Sequence, residues 1–211
     1  MKPNEISSRL KSLDDVYDAS KFIERPARSD FDLRPDGTRL TGRTDRVLKP
    51  AAVLAAIVNR SPSPTIILTQ RTAHLKKHAG QISFPGGGVE PQDAHHVATA
   101  LRETEEEIGL APEHVTLLGR LPLYETSTAY GVTPIVGWVE PPFDLKIDAF
   151  EVDEVFEVPL AFALDRSNYV KETSMRDGIE RWFYVLPYEN RYIWGATAGM
   201  LVNFAELMAS A

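Results

Sequence analysis

The chain has 211 residues, 43% of them hydrophobic and 25% charged, with a formal net charge of -7. These proportions fit one well-cored globular domain with a small appendage and exclude a largely disordered chain. The acidic balance argues against a general nucleic-acid binder, and the absence of cysteine excludes disulfides, thiolate zinc sites, iron-sulfur clusters and cysteine nucleophiles.

Residues 1 to 49 are polar and rich in Arg, Asp, Gly and Pro, which predicts an N-terminal arm with a short amphipathic helix near Ile6 to Ile23 and irregular chain after it. The opening residues lack the apolar stretch of a signal peptide, and the longest apolar run, "AAVLAAIV" at Ala51 to Val58, is too short to cross a bilayer. A cytoplasmic protein with no membrane partner is expected. From Ala51 the pattern changes. "AAVLAAIV" and "TIILTQ" read as two strands joined by the turn "NRSPSP", and "GQISFPGGG" as a strand that ends at Pro85 and breaks into a glycine loop. Next comes a helix over Ala94 to Ile108, with Asp93 as its N-cap and Gly109 as its C-terminal cap. "VTLLGRLPLY", "VTPIVGWVE", "VDEVFEVPL" and "RWFYVLPY" read as further strands, and "WGATAGMLVNFAELMAS" as a closing helix. The order predicts an α/β fold, a mixed sheet sandwiched by helices, with residues 50–211 as its domain.

The helix carries "RETEEEIGL", Arg102 to Leu110, four glutamates within five positions. Residues three and four apart share a helix face, so Glu103, Glu106 and Glu107 project together and repel, at a cost of roughly 0.2–0.5 kcal/mol per pair. A bound divalent cation turns that repulsion into coordination, and an all-carboxylate cluster suits Mg2+ or Mn2+ rather than zinc. Taken alone, such a cluster is more often a solvated charge face. Its setting changes the balance, because Gly86 to Gly88 precede the helix and allow a ligand close to the backbone.

"GGGVEPQDAHHVATALRETEEEIGL", Gly86 to Leu110, resembles the Nudix box, G-x5-E-x7-R-E-U-x-E-E-x-G-U with U apolar. Gly88, Arg102, Glu103, Glu106, Glu107, Gly109 and Leu110 fall on its positions, whereas Ala94 replaces the first glutamate and Thr104 an apolar residue. The resemblance implies a Nudix α/β/α sandwich and metal-dependent hydrolysis of a diphosphate. Glu103, Glu106 and Glu107 would be catalytic metal ligands, Glu103 by preference the one that also orients or deprotonates the water. Arg102 would be a positioning residue held by Asp93. A glutamate from a distant loop serves as base in some family members. Glu151 or Glu154 is the candidate here, although an ordinary strand edge is the preferred reading of that pair. His95 and His96 read as surface groups, and Trp138, Trp182 and Trp194 as packing residues. Tyr124 and Tyr130 are candidates for the cleft.

Upstream, "ILTQRTAHLKKHAGQISFPGG" resembles the second signature of the coenzyme A diphosphatases (CoA pyrophosphatases) of this superfamily. Leu68, Thr69, Arg71, Gly80, Phe84, Pro85, Gly86 and Gly87 match, and Lys76 stands for an arginine, keeping the charge but losing the bidentate fork. The resemblance implies that Arg71, Lys76, His78, Gly80, Gly86 and Gly87 bind the substrate, with Lys77 adding charge. Coenzyme A or an acyl-CoA would yield 3',5'-ADP and 4'-phosphopantetheine or its acyl form. Two alternatives stay open: a Nudix hydrolase of another nucleoside diphosphate compound such as ADP-ribose or NADH, and a non-catalytic Nudix-fold binding module. A homodimer is compatible with the sequence.

Overall fold

The computed structural model describes residues 1–14, 16, 28–31, 33, 47–75, 79–176 and 179–209. At its centre β2 (Lys49–Val58) runs parallel to β8 (Tyr130–Val139) over ten register positions, Lys49 opposite Tyr130 through Val58 opposite Val139. β2 turns back into β3 (Thr65–Arg71), as the "NRSPSP" turn predicts, and β3 pairs with β9 (Val152–Pro159) and with the short β4 (Ile82–Ser83). β6 (Val115–Arg120) and β7 (Tyr124–Glu125) both lie antiparallel to β8, and β1 (Arg28–Ser29) runs parallel to β7. β5 (Gly86–Gly88) completes this nine-stranded mixed sheet by pairing with Ala51–Val53 of β2. The glycine run expected as a loop is therefore a strand: its three residues spend their backbone groups on β2.

Alternation along β2 sets the layers. Ala51, Ala55 and Ile57 face one buried cluster and Ala52, Leu54, Ala56 and Val58 the other, so both faces are covered and the strand reads as a continuous apolar run. One face is covered by α2 (His96–Ile108), through Val97, Ala100 and Ile108. The other carries α3 (Leu160–Leu164) and the closing α4 (Gly195–Ala209), through Leu160, Ala163, Met200, Leu201 and Phe204. A second, antiparallel sheet, β10 (Val170–Arg176), β11 (Ile179–Tyr188) and β12 (Arg191–Trp194), joins that side through Leu186 and Ile193. The result is the expected α/β/α sandwich. Among the described residues no helix is long and apolar enough to cross a membrane. Trp138 is buried, while Trp194, expected in packing, lies 39% exposed on the second sheet, where it meets the rings of Phe183 and Tyr192.

The helix expected near Ile6 to Ile23 is shorter at its described end. α1 spans Pro3–Ser7 and stops because its serines satisfy the chain in other ways: Ser7 donates to the Leu118 carbonyl at 2.8 Å and Ser8 to the Glu5 carbonyl at 3.0 Å. Lys11 then bridges to Arg120 through paired backbone hydrogen bonds of 3.1 Å. Residues 17–23 lie outside the described residues. Ile6 is wholly buried in the main cluster. Ile6→Ala is expected to lower stability by about 2–4 kcal/mol in urea unfolding, as deletion of a core side chain does. An effect below about 0.5 kcal/mol would mean that the docked arm contributes nothing to the fold.

Candidate active site

α2 owes its register to two caps. Its N-cap is His95, whose Nδ1 accepts the Ala98 N–H at 3.1 Å, not Asp93 as expected. Asp93 is committed elsewhere, receiving Thr99 Oγ1 at 2.9 Å, the Glu90 N–H at 2.8 Å and the Arg102 guanidinium. At the other end Gly109 adopts the left-handed conformation, φ 71°, and its N–H returns to the Glu105 carbonyl at 2.8 Å. His96 is buried rather than on the surface, and burial, with Arg120 and His95 nearby, pushes its imidazole pKa down. Thr104, the polar residue where the Nudix pattern is apolar, is also buried. It remains tolerable because its hydroxyl donates to the Ala100 carbonyl one turn back, at 2.6 Å.

Arg102 organises the acidic end. Asp93 grips it with two 2.9 Å hydrogen bonds, to Nε and Nη2, while Nη1 reaches Glu106 at 2.8 Å and Glu103 at 3.1 Å. The Arg102 guanidinium holds the Asp93 carboxyl far below the usual carboxylate range. Glu103 lies against β5 so closely that a Cβ on Gly87 would come within 2.5 Å of its carboxylate, and any larger residue there would push that side chain aside. Glu107 is buried one turn on. It accepts the Gly86 N–H at 3.1 Å and faces Arg71 Nη1 at 3.4 Å. Burial pushes the Glu107 carboxyl up to about 7, with Glu103 and Glu151 adding to the rise and Gly86 and Arg71 opposing it. Burial also raises Glu103, against Arg102 and helped by Glu106 and Glu151.

The structure thus brings Glu103 and Glu107 to one face of α2 and turns Glu106 to its exposed side, where it pairs with Arg102. Among the described residues no group of three or more His, Asp or Glu side chains is arranged to hold a metal ion. The expected three-glutamate ligand set is not assembled, because each carboxylate takes the nearest guanidinium or N–H. The donor chemistry nonetheless fits a hard divalent cation: carboxylate oxygens gathered at one place, two of the carboxyls with pKa values raised by burial and by neighbouring carboxylates. Glu106, with a side chain 61% exposed, is held instead by Arg102.

Of the residues expected upstream, Arg71 reaches this cluster. A register shift between Gln70 and Arg71, where β3 pairs with β9, accompanies contacts of its guanidinium with both Glu107 and Glu151, the latter at 3.6 Å. Gly80 closes the following loop by donating its N–H to the Arg71 carbonyl at 3.1 Å. Lys76, Lys77 and His78 lie outside the described residues. Glu151 and Glu154, indistinguishable in the sequence, part company: Glu151 faces Arg71, and Glu154 is tied to Arg191. Tyr124, expected at the cleft, is buried in the core and donates its hydroxyl to Asp30 at 2.9 Å. Phe150, next to Glu151, carries no motif; its only signal in the sequence is a large apolar residue closing the alternating segment "DLKIDAF".

A family model, the NUDIX domain, matches residues 48–184. The chain is 44% identical over 157 residues to NudL of Escherichia coli K12, a Nudix hydrolase named as uncharacterized, over 74% of this chain and 81% of that protein. A protein of the same name from Shigella boydii matches to the same extent, 44% over 157 residues. Among solved structures, an Ap4A hydrolase binary complex from C. elegans overlaps 53% of this chain and 80% of its own, with 22% identity and a TM-score of 0.44. The chain belongs to the Nudix family. It is a Nudix hydrolase.

The Asp93–Arg102 pair gives a direct test. Asp93→Asn is expected to lower stability at pH 7 by about 1–3 kcal/mol, less than a fully isolated pair because Arg102 keeps Glu103 and Glu106. The Asp93 carboxyl is lowered on folding, so its contribution is complete above its unfolded value of about 4 and is lost as pH falls below it. Urea unfolding of both proteins at pH 7 and pH 3 is expected to show the gap narrowing at pH 3, and a gap that widens there would contradict this.

Proposed function

We infer that the protein hydrolyses the diphosphate of coenzyme A or its acyl derivatives, giving 3',5'-ADP and 4'-phosphopantetheine or its acyl form, with Mg2+ or Mn2+ as cofactor. The observation that carries this reading is the meeting of two sequence signatures at one point. Arg71, from the segment that resembles the coenzyme A diphosphatases, lies against Glu107, the second glutamate of the Nudix box Glu-Glu pair. The substrate's diphosphate would lie between Arg71 and the carboxylates, with Gly80, Gly86 and Gly87 shaping the loop and strand beside it, and Lys76 and His78 supplying further cations for the 3'-phosphate.

Glu103, Glu106 and Glu107 would hold the metal. A divalent cation held there would polarise the diphosphate and lower the pKa of a water bound to it. Glu151, which faces Arg71, would be a better candidate than Glu154 to take the proton of an attacking water, and Glu103 would be the second. Arg102 and Asp93 would act by positioning the helix face.

The deciding experiment compares coenzyme A with ADP-ribose and NADH, each with Mg2+ or Mn2+, with products identified by mass. Coenzyme A is expected to give the highest kcat/KM together with the two named products. A higher value for another diphosphate would reassign the substrate, and inactivity throughout would overturn the coenzyme A reading. Lys76→Ala should raise KM more for coenzyme A than for dephospho-CoA, and equal effects would place the 3'-phosphate elsewhere.

Glu107→Gln is expected to reduce kcat at least about 100-fold. It should also stabilise the metal-free protein at pH 8 by about 1–3 kcal/mol, because the buried carboxylate ionises at a cost on folding. A raised pKa makes wild-type stability fall as pH rises between about 4.3 and about 7, so the variant's advantage should vanish near pH 4.

A further inference from the structure

We propose that Phe150, backed by His74, is the stacking platform for the adenine base of the substrate and sets the preference for adenine nucleotides. Phe150 is a large apolar side chain left 66% exposed, and it directly precedes Glu151 in the chain. A single exposed apolar residue needs no explanation by itself. What distinguishes this one is how firmly it is held and what it stands next to.

The loop that carries it is tethered on two sides. The Lys146 N–H donates to the Ile108 carbonyl and the Asp148 N–H to the Glu107 carbonyl, both at 2.9 Å, which ties the loop to the last turn of α2. Asp148 in turn accepts the Phe150 N–H at 2.9 Å. From the other side Thr72, just past β3, donates its hydroxyl to the Phe150 carbonyl at 2.9 Å and its N–H to the Glu151 carbonyl at 3.0 Å. The Phe150 backbone is thereby fixed to the helix of the carboxylates and to the strand of Arg71 together.

Its ring meets the imidazole of His74 with centroids 5.0 Å apart and planes inclined at 59°. His74 is itself exposed, so two rings from different segments form a small aromatic surface in a polar neighbourhood. The next residue, Glu151, turns to Arg71, within reach of the carboxylate cluster. A diphosphate held at Arg71 would lie beside Glu151, the neighbour of Phe150 in the chain, so the nucleoside that the diphosphate carries would come within reach of this loop. Of the two ends of such a substrate, the base offers a flat π face that suits an exposed ring, whereas a pantetheine arm is flexible and hydrogen-bonding. Base-on-aromatic stacking is also the interaction that an exposed ring on a rigid loop supports at low entropic cost.

The inference rests on the carboxylate cluster being the diphosphate site, but it does not need coenzyme A to be the substrate. Binding of 5'-AMP and of 4'-phosphopantetheine would be measured by calorimetry for the full chain and for Phe150→Ala, Phe150→Trp and His74→Ala. Native circular dichroism would be confirmed for each.

Phe150→Ala should weaken 5'-AMP about tenfold, Phe150→Trp should retain it, and His74→Ala should lose a smaller part. Phosphopantetheine binding should change less than about twofold. In turnover, KM for the adenine nucleotide substrate should rise with kcat preserved. Unchanged 5'-AMP binding in Phe150→Ala, equal weakening of both ligands, weakening of phosphopantetheine alone, or no 5'-AMP binding by the wild type would each overturn the platform. Failure of the coenzyme A reading is seen separately, as wild-type turnover of ADP-ribose or NADH without turnover of coenzyme A.

Discussion

The site depends on holding several carboxylates together at the C-terminal end of one helix, where the helix dipole adds to their repulsion. The structure meets that constraint with two guanidinium groups, one on each side. Arg102, gripped by Asp93, steadies Glu103 and Glu106, and Arg71, arriving from β3, faces Glu107 and Glu151. Between them the Gly86 N–H accounts for one Glu107 oxygen. Neither arginine cancels the charge. Burial still raises Glu103 and Glu107, so the cluster stays poised to accept a further positive group.

Much of this was legible in the sequence because periodicity and caps are local properties. The short apolar and β-branched runs located β2, β3, β8 and β9, and helix formers before Gly109 located α2. The helix faces were legible too: Glu105 is exposed and Glu103 and Glu107 point inward, as a repeat of 3.6 residues requires. The N-cap was misplaced because Asp93 is a good cap by type, and nothing local shows that an arginine nine positions on claims its carboxylate. The glycine run was taken for a loop because its strand character comes from a partner, Ala51–Val53, far away in the chain.

Side-chain direction was the part least open to reading. Glu106 belongs by spacing with Glu103 and Glu107, yet it pairs with Arg102 on the outer side of the helix. Glu151 and Glu154 are one helical turn apart in number but lie in and beside a strand, where a bulge sends one to Arg71 and the other to Arg191. Phe150 carries no motif at all. Its place is visible only once the loop is pinned by Thr72 and Asp148, residues with no chemical signature of their own.

The parallel pairing of β2 with β8 has a consequence for how the site comes into being. Parallel neighbours cannot be joined by a tight turn, and the connection between these two contains β3 to β7 and all of α2. The helix bearing the carboxylates is thus part of the crossover that lets the two central strands lie side by side. During folding, these contacts, distant in sequence, are made slowly compared with a hairpin. Until they are made, Glu103 and Glu107 have no β5 to lie against and Arg71 has no cluster to enter. Partly folded forms of the chain therefore contain every motif residue and no assembled site.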